Sequence, residues 1–178
     1  MVSGGSSFEG FDGEGTTFAA EGLAGVGVTP GSTVSAGGLS FTWPDVGAGQ
    51  PDNTMAQGQI ISLSGSGSTL GFLAAANNSA LSGSGTVYYT DGTTSTFTLD
   101  LGNFWDAAGS NGNPSNTTAI SEPTIDYPTG PMSHTSYVFE QSVAIDPSKT
   151  VEAVQLPSLG DVSGYNPALH VFGIAIGS

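Results

Sequence analysis

The chain has 178 residues, one basic side chain and 15 carboxylates, for a formal net charge of −14. With Lys149 as its single cation and no Arg, it cannot neutralise phosphates, which excludes nucleic-acid binding and disfavours an anionic membrane surface. No cysteine is present, so neither disulfides nor thiolate metal sites support the fold. The carboxylates are scattered singly and read as a solvated acidic surface, whose self-repulsion salt or low pH would relieve.

Residues 1–10 read as a loose leader and residues 11–178 as one domain. The leader has neither the basic nor the apolar region of a signal peptide. Met1 followed by Ser and Gly suggests a start placed on a piece of a larger exported protein. Thr16 to Gly22 reads as a first strand with Phe18 inward. A single helical turn over residues 19–26 is the alternative, because Gly22, Gly25 and Gly27 disfavour a longer helix. Thr29-Pro30-Gly31-Ser32 is a turn. Leu39, Phe41 and Trp43 then share one face at period two, which marks Trp43 as a core anchor. The loop over residues 45–56 is long and polar. Gln59 to Ser64 follows as a strand with Ile61 and Leu63 inward.

Thr69 to Ala76 is apolar on both faces, as in a central buried strand. Gly83 to Thr90 and Thr94 to Leu101 form a hairpin, with Asp91-Gly92 as a two-residue turn. A loop over residues 103–116 carries Phe104, Trp105 and Asp106. Thr117 to Tyr127 reads as an edge strand because Pro123 cannot donate to a ladder. Ser136 to Ile145, Val151 to Leu156 and Leu169 to Ile176 complete the strands. About ten short strands predict an all-β, antiparallel two-sheet β-sandwich, jelly-roll-like, with the first and final strands adjacent.

Catalytic chemistry finds little footing. Gly65-Ser66-Gly67-Ser68 and Gly83-Ser84-Gly85 lie between strands, with no following helix to make a nucleophile elbow. His134 and His170 are the general-base candidates, and His170 reads as a core histidine beside Val171 and Phe172. A glycosidase needs two carboxylates about 5–9.5 Å apart, and neither Glu140 nor Asp100 is flanked by the groups of a sugar cleft. Asp12 and Glu14 in a Gly-rich turn, and Asp52 and Asn53 in the polar loop, are hard oxygen donors that could hold a structural calcium. The competing reading is turn chemistry, with Asx side chains bonding local backbone. Among the aromatics, Trp105 is the best candidate for a sugar-stacking platform, with Asp106, Asn103 and Tyr88 as further contacts. Asn77-Asn78-Ser79 and Asn116-Thr117-Thr118 match the pattern of glycosylation acceptors.

Several motifs follow one another in order: Phe11-Asp-Gly13, Gly27-Val-Thr-Pro-Gly31, Phe41-Thr-Trp-Pro44, Pro51-Asp-Asn53 and Ser66-Gly-Ser-Thr-Leu-Gly-Phe-Leu73. Tyr89-Thr-Asp-Gly-Thr93, Val151-Glu-Ala-Val-Gln-Leu-Pro157 and His170-Val-Phe172 continue the series. Together they resemble an accessory β-sandwich domain of secreted actinobacterial glycoside hydrolases such as alpha-mannosidases. That resemblance implies a non-catalytic, extracellular carbohydrate-binding module, with a glycan or polysaccharide and a tethered catalytic domain as partners. Such modules carry an Arg in the segment matching Thr124 to Tyr137. This chain has none there, so a ligand contact by that loop does not transfer. A structural or adhesive module of a cell-surface protein is the alternative expectation.

Overall fold

A computed structural model describes residues 10–161 and 166–178. Nearly all of the expected leader, and Tyr165, lie outside the described residues. In chain order the elements are β1 (Thr17–Phe18), α1 (Ala20–Gly25), β2 (Thr33–Ala36), β3 (Leu39–Thr42), β4 (Thr54–Met55), β5 (Ile60–Gly65) and β6 (Thr69–Ala76). They continue with β7 (Leu81–Tyr89), β8 (Thr94–Leu101), β9 (Thr117–Tyr127), β10 (Gly130–Ala144), β11 (Val151–Gln155) and β12 (Leu169–Gly177). No helix among the described residues is long and apolar enough to cross a membrane.

The all-β expectation holds. A six-stranded antiparallel sheet runs β1-β9-β10-β6-β12-β4, and a four-stranded antiparallel sheet runs β5-β11-β7-β8. Phe72 of β6 stacks on Phe97 of β8 with ring centroids 5.1 Å apart, joining the two sheets through their apolar faces. The hairpin β2-β3 covers the other face of the six-stranded sheet. There Gly71 of β6 leaves room for Leu39 and Phe41: a Cβ on it would strike Leu39 and come within 3.0 Å of the Phe41 ring. Trp43 stacks on Phe172 of β12 at 4.9 Å. β6 thus has protein on both faces, which is why its sequence is apolar throughout.

Gly85 has a similar role in the four-stranded sheet. It pairs directly with Phe97, and a Cβ there would meet the Phe97 ring and, at 2.5 Å, the Gln155 carbonyl. Gly85→Ala should therefore push Phe97 off Phe72 and cost about 1–3 kcal/mol. Urea unfolding would measure the loss.

Four expectations are corrected. The first strand shrinks to Thr17–Phe18, and residues 20–25 form α1. Gly27, at φ +84°, ends that helix. Val28 N–H donates to the Leu23 carbonyl and Gly27 N–H to the Ala24 carbonyl, a Schellman closure that pairs buried Leu23 with Val28. The Asp91-Gly92 turn is a three-residue loop: Tyr89 N–H donates to the Thr93 carbonyl, and Gly92, at φ +82°, takes the left-handed position. β10 starts at Gly130, six residues before the strand read from Ser136; Pro128 in the preceding turn and Pro131 at the strand's second position disguise its first residues. Last, the first and final strands are not adjacent. β1 pairs with β9 at one edge, while β12 lies between β6 and β4 near the other. The long hairpin β9-β10 takes the place beside β6 and separates them.

The expectation for β9 holds along most of its length, since its outer side pairs only with β1, at Ile125 and Asp126. Pro123 faces the register irregularity between Ser133 and Ser136 of β10, where no ladder bond is lost.

Candidate functional site

The Trp105 loop begins where β8 ends. Ala76 N–H donates to the Gly102 carbonyl and Phe104 N–H to the Ala76 carbonyl, so the chain leaves β8 pinned to the end of β6. Phe104 is buried against Phe11 and Phe18 at ring distances of 4.8 and 5.7 Å. This anchor leaves its neighbour Trp105 only half-buried. Asn113, itself buried, holds the loop closed: its amide nitrogen donates to the carbonyls of Asn103 (2.9 Å) and Asp106 (2.7 Å), and its amide oxygen accepts from Asn103 N–H (2.7 Å). Asn103 also accepts from Trp105 N–H through its side chain. The Asp106 carboxylate accepts from Asn111 at 2.6 Å.

The imidazole of His134 lies on the Trp105 indole with centroids 3.7 Å apart and planes at 24°. Its Nε2 is 3.0 Å from the Trp105 carbonyl. A carbonyl only accepts, so Nε2 carries the proton. His134 sits in the irregularity of β10 between Ser133 and Ser136, and such a bulge re-aims side chains out of the regular alternation. The result is a two-ring stack on a loop closed by Asn113, in which the next residue, Asp106, is tied to Asn111.

The structure therefore brings Trp105, Asp106 and Asn103 together, with Asn103 serving the loop backbone. Tyr88 is elsewhere. It pairs with Thr94 near the far end of the β7-β8 hairpin, whereas the Trp105 loop leaves from Leu101. That register separates them by roughly 20 Å along the strand. The Tyr88 hydroxyl donates to Gln155 at 2.9 Å and braces β7 against β11.

The expected calcium donors do not gather into one place. One carboxylate oxygen of Asp12 accepts from Glu14 N–H (2.8 Å) and Thr16 N–H (3.0 Å), which is turn chemistry. Asn53 donates to Asp52 at 3.1 Å, and its amide oxygen accepts from His170 Nδ1 at 2.8 Å. Among the described residues no group of three or more His, Cys, Asp or Glu side chains could hold a metal ion. His170 is a core histidine: its ring lies 4.1 Å from Phe11, and burial pulls its pKa down to about 4. Beside it Pro44, Pro51, Asp52, Asn53, Thr54, Val171 and Phe172 line a cleft of about 240 Å³. That is below the roughly 300–1,000 Å³ of typical ligand pockets.

Two buried carboxylates escaped the sequence reading as structural features. Glu122 is wholly buried, accepting from Ala19 N–H (3.0 Å) and the Ser136 hydroxyl (3.2 Å). Its other oxygen rests on Gly22, where a Cβ would collide with it. Burial raises its pKa to about 8, with Asp126 adding like-charge repulsion, so it is a neutral acid at pH 7. Glu140 accepts from the Ser142 hydroxyl and fills the space left by Gly37. Glu122 pairs with Ser136, four positions along β10 from Glu140. Their backbones are therefore roughly 13 Å apart, and both acids are enclosed by protein. They do not form a paired-carboxylate site.

No family model matches the chain, and no curated protein matches it in sequence. Asn111 and Asn113 are the site residues that sequence reasoning missed, and His134, read there as a general-base candidate, was not placed beside Trp105. Asn113 carried a weak signal, as an Asx residue in a Gly-rich loop, whereas the pairing of His134 with Trp105 had none, because it depends on the β9-β10 register.

Proposed function

We propose that this domain is a non-catalytic, extracellular glycan-binding module of a larger secreted glycoside hydrolase. The observation that carries this reading is the Trp105–His134 stack, half-buried on a preformed loop and flanked by Asp106 and Asn111. A pyranose ring offers C–H groups to an aromatic surface and hydroxyls to carboxylate and amide groups. Because the loop is closed by Asn113 before binding, little ordering cost opposes the ligand. The net charge of −14 selects neutral glycans over uronate or sulfated ones. Weak binding suffices, since a tethered module raises the effective concentration of substrate at its catalytic neighbour.

Calorimetric titration with neutral mannan, glucan and xylan oligosaccharides tests the reading. A dissociation constant in the micromolar to millimolar range is expected for one of them. Trp105→Ala should weaken it at least about tenfold, or ~1.4 kcal/mol, with the affinity of Tyr88→Phe close to wild type. Absence of binding to all three classes at millimolar ligand would remove the proposal. The second reading, a structural or adhesive module, is favoured by one observation, the uncovered edge of β5.

A further inference from the structure

The four-stranded sheet has two edges, and they are treated differently. At the β8 edge, two side-chain amides imitate a neighbouring strand. Gln141 donates to the Thr98 carbonyl (3.4 Å) and accepts from Asp100 N–H (2.7 Å). Asn116 donates to the Asp100 carbonyl (2.9 Å) and accepts from Gly102 N–H (3.0 Å). Each amide presents one donor and one acceptor, as a peptide group does, so the outward groups of β8 from the Thr98 carbonyl to the Gly102 N–H are satisfied and that part of the edge is closed to other chains.

The β5 edge has no such cover. Leu156 N–H donates to the Gln59 carbonyl, and β5 pairs with β11 at Ile61 and Val154. Antiparallel alternation then turns the N–H and C=O groups of Ile60 and Ser62 outward, up to the register irregularity that follows Ser62. Among the described residues β5 is the outermost strand of its sheet, so no strand lies beyond these groups. The edge also lacks the usual protections: β5 has no Pro and no charge, and Ile60 is 59 % exposed. Residues 53–90 contain no charged side chain at all. On a chain of net charge −14, this edge is where two copies meet without opposing carboxylates.

We infer that β5 is a self-association edge, and that its occupant is β5 of a second copy of this chain, antiparallel across a two-fold axis. One register is centred on Ser62, the last outward residue before the irregularity. Ser62 faces Ser62 of the second copy, so this central pair exchanges both of its ladder bonds, and Ile60 lies opposite Ser64. The same register sets the half-buried Ile61 against Leu63 of the second copy on the inner face, extending the core across the axis. The outward faces meet through serines, which neither clash nor repel. Two four-stranded sheets become one continuous sheet. A single short strand buries less than the about 1,200 Å² of a stable complex, so the pairing is weak and strengthens as salt screens the two acidic bodies.

Sedimentation equilibrium on the full chain, from micromolar to about 1 mM and at low and high salt, tests this. The expected result is a dimer fraction rising with both concentration and salt. Ser62→Pro removes the central outward N–H, and Ser62→Lys sets two cations face to face on the axis. Both variants should be monomeric throughout with thermal midpoints near that of the wild type, and the Lys variant covers the case in which the Pro variant fails to fold. A wild-type chain that remains monomeric overturns the inference, whatever else the edge accepts. So does a dimer that neither variant disturbs.

Discussion

Trp43→Ala is expected to lower folding stability by about 3–5 kcal/mol, a large part of the roughly 5–15 kcal/mol typical of a domain. The indole is fully buried and stacks on Phe172. Phe172 in turn stacks on Phe11 at 6.0 Å, so the indole ends a row of rings that joins the hairpin β2-β3 to β12. Its backbone is committed as well: Trp43 N–H donates to the Ser32 carbonyl and its own carbonyl accepts from Gly31 N–H. Alanine leaves a cavity between the hairpin and the six-stranded sheet that the chain cannot collapse without losing these bonds. Trp43→Phe should cost much less, because it keeps a ring on Phe172 and removes an indole N–H that is buried without a partner. Urea unfolding of both variants measures the difference. A loss below about 1 kcal/mol for alanine, in the sense of an ordinary surface change, would contradict the core role.

The second large effect is a pH dependence centred on Glu122. This acid has a folded pKa of about 8 against an ordinary 4.5. Between those values the folded state keeps a proton that the unfolded chain has lost. Its contribution to stability is therefore fully present below about pH 4.5 and is lost as pH rises through about 8. His170 acts on the other side. Its pKa falls from 6.5 to about 4 on folding, so stability is lost as pH drops from 6.5 toward 4. From pH 4.5 to 6.5 the two slopes oppose each other, and above pH 6.5 only the Glu122 slope remains. The wild type should thus be most stable on the acid side of neutrality.

Glu122→Gln isolates the stronger of these two effects. Glutamine keeps the acceptor for Ala19 N–H and the Ser136 hydroxyl but does not ionise. Its stability relative to wild type should rise by ~4–5 kcal/mol between about pH 4.5 and pH 9. Paired urea unfolding curves across that range give the result. A constant difference would show that Glu122 ionises freely in the folded protein.

The sequence revealed most where structure is local. Leu39, Phe41 and Trp43 alternate because β3 lies on a sheet. The run from Leu70 to Ala76 is apolar because both sides of β6 are covered. Phe97, Leu99 and Leu101 face the core at period two. What escaped depends on distant partners. Gly22 reads as a helix breaker, but it lets α1 approach Glu122, which is contributed by β9. The start of β10 is hidden by Pro128 in the turn before it and Pro131 within its first residues. His134 meets Trp105 only because β10 is irregular opposite Pro123. The candidate platform is therefore half legible: Trp105 and Asp106 can be picked from their loop, while Tyr88 has suitable chemistry but lies at the wrong end of its hairpin.

The two tryptophans permit the most direct test of the proposed function. Trp43 is fully buried and Trp105 half-buried, so the protein gives two indole N–H resonances in distinct environments. Titration with the best-binding neutral oligosaccharide should shift the Trp105 resonance and the His134 ring signals, and leave Trp43 unmoved. A ligand that binds while Trp105 stays still, or that moves only the residues around Asp52 and Asn53, would contradict the assignment of the glycan platform to the Trp105 loop.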